Sequence, residues 1–199
     1  MIINQLQKII NIKIVYFGPA LSGKTTSLKS LFNHFGKKDQ VKSIESSINR
    51  TLFFDYGVIL FQNEQWQLKI NIYSTTGQDF YIITRPTVLK GIDGIIFVAD
   101  SNELSLKRNL ISWNELGNYF NKKIFNEFPK IIAFNKQDLL NKFNVSEFLE
   151  DINYKIYDNI GLKYTIAING EGILVTFEEL LCMIFKKIYK YEFPLKLKN

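Results

Sequence analysis

Gly18-Pro19-Ala20-Leu21-Ser22-Gly23-Lys24-Thr25 matches G-x-x-x-x-G-K-[ST] in full, and it sits between two segments of opposite periodicity. Before it, Ile9–Phe17 (IINIKIVYF) is rich in β-branched and aromatic residues, as a buried strand is. After it, residues 24–35 place Leu28, Leu31, Phe32 and Phe35 on one helical face. A strand, a glycine-bearing turn and a helix in that order make a phosphate-binding loop, because the helix N-terminus and the curled backbone N–H groups converge on an anion. Gly18, Leu21, Ser22 and Gly23 then present backbone to the phosphates. Lys24 reaches the β- and γ-phosphates, Thr25 helps hold Mg²⁺ and Thr26 adds a hydroxyl near the α-phosphate.

The rest of the chain repeats the strand–helix alternation. Residues 51–62 and 66–73 read as two strands around a hairpin turn at Asn63-Glu64. Gly94–Asp100 (GIIFVAD) and Lys130–Phe134 (KIIAF) are continuous apolar runs, typical of parallel strands covered on both faces. Residues 164–168 are expected to form a last strand, and helices to occupy about 103–121, 144–152 and 176–191, the last opened by the capping box Thr176-Phe177-Glu178-Glu179. This pattern predicts an α/β fold: a mostly parallel sheet with one antiparallel strand and helices on both faces. No repeat or linker divides the 199 residues, so one domain is expected over 1–199, with a short basic tail over about 192–199.

A second motif identifies the base. Asn135-Lys136-Gln137-Asp138 follows directly on the strand KIIAF, about 110 residues beyond the phosphate loop. Asp138 can accept hydrogen bonds from the ring N–H and exocyclic amine of guanine, whereas adenine would leave the carboxylate unpaired. Lys136 offers its alkyl stem to the face of the base, Asn135 braces neighbouring loops, and Ala167 is placed to give its backbone N–H to the guanine carbonyl. The expected ligand is GTP, with GDP as product and Mg²⁺ as cofactor.

The net charge of +6 would otherwise suggest a nucleic-acid or membrane partner. Most of that excess lies in the last fifteen residues, which hold five lysines and one acid, and the chain has only three arginines, Arg50, Arg85 and Arg108. DNA or RNA binding is therefore not expected, while the basic tail leaves open a solvated helix end or a contact with an anionic membrane or acidic partner. One cysteine, Cys182, excludes a disulfide framework and a cysteine-rich zinc site. No signal peptide or membrane-spanning run is evident, so a cytoplasmic location is expected, peripheral at a membrane or cell pole if the tail binds one. Ile2 removes the glycine that N-myristoylation needs. His34 and Cys182 are read as packing or surface residues.

Ser74-Thr75-Thr76-Gly77-Gln78 stands where small GTPases carry D-x-x-G-Q, with Ser74 in place of the metal-holding Asp. The stretches KIVYFGPALSGKTTSLK, RTLFFDY, STTGQDFY, RPTVLKGIDGIIFVADS and FNKQDL resemble those of the MglA-like family, the Ras-like polarity GTPases of bacteria and archaea, from about residue 9 to 140. That family also has a hydroxyl residue at the Ser74 position. The resemblance implies roles for residues that match its motifs. Gln78 positions the attacking water and Gly77 gives its N–H to the γ-phosphate. Arg50 supplies a finger from the chain itself, and Thr51 contacts Mg²⁺ and the γ-phosphate. Two switch loops follow, roughly 37–55 and 74–90, as does a Roadblock-type (MglB-like) dimer that activates hydrolysis. Arg85, the rival arginine before Pro86, is read as structural or partner-facing. Two other readings stay open: a nucleotide-binding scaffold with little hydrolysis, motivated by Ser74, and an Arf-like or Rag-like traffic or sensing GTPase.

Overall fold

The computed structural model describes residues 1–44, 54–75 and 85–192. Among the described residues eight strands form one sheet: β1 (Ile2–Asn4), β2 (Ile9–Phe17), β3 (Lys42–Ile44), β4 (Phe54–Gln62), β5 (Gln67–Thr75), β6 (Gly94–Asp100), β7 (Lys130–Asn135) and β8 (Ile160–Thr165). Their order is β3-β4-β5-β2-β6-β7-β8. The pairs β5/β2, β2/β6, β6/β7 and β7/β8 are parallel, and β4 runs antiparallel to β5 through the expected hairpin. Two three-residue strands extend this plan. β3 pairs antiparallel with β4, and β1 pairs antiparallel with Ile9–Asn11 on the edge of β2 that β6 joins only from Ile14 onward.

Among the described residues six α-helices connect the strands: α1 (Lys24–His34), α2 (Arg85–Leu89), α3 (Leu106–Asn118), α4 (Lys122–Glu127), α5 (Val145–Asp151) and α6 (Ile173–Glu192). The pleat of β2 sends alternate residues to opposite faces, and two cores result. Ile12, Ile14 and Tyr16 pack with Leu28, Leu31 and Phe32 of α1 and Phe177, Leu180 and Ile184 of α6. Val15 and Phe17 pack with Val88 and Leu89 of α2, Trp113 and Leu116 of α3, Phe125 of α4 and Phe148 of α5. Every residue of β6 and β7 is buried, the consequence of helices on both faces. The parallel strands β2, β6, β7 and β8 all run toward one edge, so their carboxyl ends converge there, where open sheets of this kind bind ligands.

The elements depart from expectation in three places. The last strand covers Ile160–Thr165 rather than 164–168, because its register is set by pairing with β7 (Lys130 opposite Ile160, Asn135 opposite Thr165). The last helix starts at Ile173, so Thr176 lies inside it. The Thr176 hydroxyl donates back to the Gly172 carbonyl at 2.6 Å instead of capping the first turn. Helix α4, six residues long and capped by the Asn121 side chain, was not anticipated at all.

Candidate functional site

The phosphate loop leaves β2 at Gly18, φ +141°, where a Cβ would lie 2.3 Å from the Val98 carbonyl oxygen of the neighbouring strand. It re-enters helix at Gly23, φ +101°, where a Cβ would lie 2.2 Å from Asn135 Nδ2. Both motif glycines therefore answer a steric demand as well as a dihedral one. Leu21 also adopts a left-handed conformation (φ +62°) and leaves its side chain 81% exposed at the loop tip. Ser22 is fully buried.

Lys24 is folded inward. Its ammonium donates to the carbonyls of Gly18 at 2.8 Å and Pro19 at 2.6 Å, and the side chain is nearly buried. Burial pulls its pKa down to about 7, the positive charge of Arg85 pulls the same way, and Asp55 opposes them. An anion entering beside this desolvated amine would favour its charged form again, and in poor solvent that attraction is strong, as it would be for a polyphosphate. Thr25 and Thr26 are exposed at the start of α1.

At the base end, Asn135 joins three segments. Its Nδ2 donates to the Ser22 carbonyl at 2.8 Å, while its Oδ1 accepts from the Ala167 N–H at 2.9 Å and the Thr165 hydroxyl at 3.2 Å. The phosphate loop, the end of β7 and the loop after β8 are locked together by one side chain, 2% exposed. The Ala167 N–H, expected to serve a guanine carbonyl, donates to Asn135 Oδ1. Lys136 takes φ +68°, and Asp138 is exposed on the turn beyond β7. Gln137 is held by Ser101 Oγ at 2.8 Å.

At the γ-phosphate end, Ser74 is buried near the end of β5. Directly across the antiparallel ladder from it stands Asp55 of β4, also buried, whose Oδ2 accepts from the Thr25 hydroxyl at 2.6 Å. No motif marks this carboxylate in the sequence, and its signal there is an acid inside the apolar run FFDYGVIL. Arg50, Thr51, Gly77 and Gln78 lie outside the described residues. Arg85 is 4% exposed, ion-paired with Glu115 of α3 and set over the Phe17 ring at 5.8 Å, and Tyr119 Oη donates to the other Glu115 oxygen at 2.7 Å. His34 and Cys182 are exposed. Among the described residues no helix is long and apolar enough to cross a membrane, and no cluster of three His, Cys, Asp or Glu side chains is present.

Mg²⁺ fits this donor set. It prefers hard oxygen ligands and keeps waters and phosphate oxygens in its shell, so a threonine hydroxyl beside one carboxylate suffices and an all-protein cage is not needed.

A family model described as the ADP-ribosylation factor family matches residues 1–184. The mutual gliding-motility protein MglA of Myxococcus xanthus (strain DK1622) is 33% identical over 193 residues, covering 94% of this chain and 97% of that protein. The Ras-related protein Rab-5B of Plasmodium falciparum (isolate 3D7) is 26% identical over 194 residues, covering 92% of this chain and 84% of its own. The GTP-binding nuclear protein GSP1 of Encephalitozoon cuniculi (strain GB-M1) is 26% identical over 152 residues, 73% of this chain and 66% of the relative.

Proposed function

This chain belongs to the ADP-ribosylation factor family and is an MglA-like small GTPase, and from that premise we propose how its residues divide the work of a GTP-driven switch. The observation that carries the reading is the Asn135 clamp. It ties the phosphate loop to the base loop, so that one nucleotide spanning both is held at a fixed separation. Gly18, Leu21, Ser22, Gly23 and Lys24 take the phosphates. Lys136 and Asp138 take the guanine, with Asp138 exposed at the loop and free of steric cover. Ala167, whose N–H lies at Asn135 Oδ1 on the edge of the base loop, is assigned to the guanine carbonyl.

Thr25 and Asp55 would hold Mg²⁺, together with Thr51. Asp55 stands on the rung opposite Ser74, so the carboxylate missing from the D-x-x-G position is supplied from the adjacent strand. That removes the motive for a scaffold with little hydrolysis. When bound, Mg²⁺ neutralises charge on the β- and γ-phosphate oxygens. Water attacks the γ-phosphorus, the bond to the β–γ bridging oxygen breaks, and GDP and inorganic phosphate leave. Gln78 orients the water, Arg50 offsets the developing charge, and Gly77 and Thr51 sense the γ-phosphate. Its loss releases the two switches, roughly 37–55 and 74–90.

The similarity to a gliding-motility protein supports a role in cell polarity, and the activating partner we propose for it is a Roadblock-type dimer. The lysine-rich end of the chain would reinforce an anionic membrane contact. Single-turnover hydrolysis of bound GTP tests the catalytic assignment. Gln78→Leu should slow it at least tenfold while GDP affinity stays unchanged. Equal rates in the two proteins would remove Gln78 from the reaction.

A further inference from the structure

Asp100 closes β6 on the rung of Asn135, the first residue of the base loop. It is 2% exposed, yet two cations reach one of its oxygens: Lys136 Nζ donates to Oδ2 at 2.9 Å and Arg108 Nη2 at 3.4 Å, while Oδ1 accepts the Asn102 N–H at 3.1 Å. The backbone of Asp100 is clamped from both sides by the fully buried Asn109 of α3. The Asp100 N–H donates to Asn109 Oδ1 at 3.0 Å, and Asn109 Nδ2 donates to the Asp100 carbonyl at 2.8 Å. A carboxylate this buried is costly unless it is paired and hydrogen-bonded, and here a side chain of α3 is also committed to fixing the backbone that carries it.

Lys136 is the better placed of its two partners. It is one-third exposed, and its left-handed backbone (φ +68°), unfavourable for a residue with a Cβ, accompanies the turn that brings its ammonium back to Asp100. A lysine stem loses much rotamer freedom when it packs on a ligand. Anchoring the ammonium beforehand removes that loss from the binding step. We propose that Asp100 is a positioning residue for guanine recognition: by holding the ammonium of Lys136 it fixes the alkyl stem as a preformed platform for the base. The proposal rests on the reading of Asn135-Lys136-Gln137-Asp138 as the base loop. Arg108, half exposed and farther away, has a lesser part.

The test is release of a fluorescent GDP from the full chain with Mg²⁺ in excess, for the unaltered protein, Asp100→Asn, Lys136→Met and the double variant. Lys136→Met keeps an unbranched stem and removes only the ammonium. Each single change should speed release about tenfold, in the middle of the range by which contacting residues couple, and the double variant should be no faster than the faster single one. Arg108→Met should stay within about threefold of the unaltered protein, as half-exposed pairs do. Multiplying effects in the double variant, or unchanged release in Lys136→Met, would overturn the proposal. If Asp100→Asn does not fold, Lys136→Met alone decides. Tight GDP retention with multiplying effects removes only the positioning role. A protein that retains no guanine nucleotide removes the base-loop reading and this proposal with it.

Discussion

Replacing Asn135 by alanine removes three contacts at once in a site that is 2% exposed. The Ser22 carbonyl loses its donor at 2.8 Å, and the Ala167 N–H and Thr165 hydroxyl lose their acceptor at 2.9 and 3.2 Å. A buried group left unpaired costs about 1–3 kcal/mol, and loops at the sheet edge can relax toward water, so the lower figure applies to each and the total is about 3 kcal/mol. In a domain of this size that corresponds to a fall of about 6–12 °C in melting temperature at fixed GDP concentration. The phosphate and base loops also lose their shared anchor, so GDP release should quicken at least tenfold. Thr165→Val removes only the longest of the three contacts and should cost about 1 kcal/mol or less. Differential scanning fluorimetry with saturating GDP, paired with stopped-flow release, reads both quantities. A shift under 2 °C for Asn135→Ala, or equal effects of the two changes, would refute the clamp.

Asp55→Asn keeps the shape beside Thr25 and removes the charge, so the Mg²⁺ concentration that half-maximally slows GDP release should rise tenfold or more, as a lost charge-assisted contact requires. An unchanged Mg²⁺ dependence would return the Ser74 deficit to the site. Glu115→Gln removes the carboxylate that ion-pairs with the buried Arg85 and should destabilise the fold by about 2 kcal/mol, the scale of one hydrogen bond to a charged group, seen as an earlier midpoint in urea with the slope unchanged. Stability within 0.5 kcal/mol would place Arg85 outside that network.

Much of this architecture is legible in the residues because local and global signals agree. Ile9–Phe17 and Gly94–Asp100 are the observed strands to the residue, since both are apolar runs paired along two edges and bounded by glycine or a polar break. β8 was less legible for the opposite reason. It lies at the sheet edge with most residues only half buried, contains Gly161, and takes its limits from pairing with β7. The start of α6 was misplaced because Thr176-Phe177-Glu178-Glu179 has the form of a capping box, whereas Gly172, φ +73°, is where the chain turns into the helix. Lys24, Thr25, Asn135 and Lys136 were readable from motifs whose spacing is local. Asp55 and Asp100 were not: Asp55 meets Thr25 of α1 and Asp100 meets Lys136 just beyond β7, 30 and 36 residues away, and only the tertiary fold brings each pair together. The same holds for the third contact of Asn135, with Ala167, 32 residues on.

The central claim is that the clamped loops at the carboxyl ends of β2, β7 and β8 hold a guanine nucleotide. Purified protein should be heat-denatured and the released nucleotide separated by ion-exchange chromatography. The account predicts GDP or GTP at close to one per chain, and adenine nucleotide in that place would contradict it.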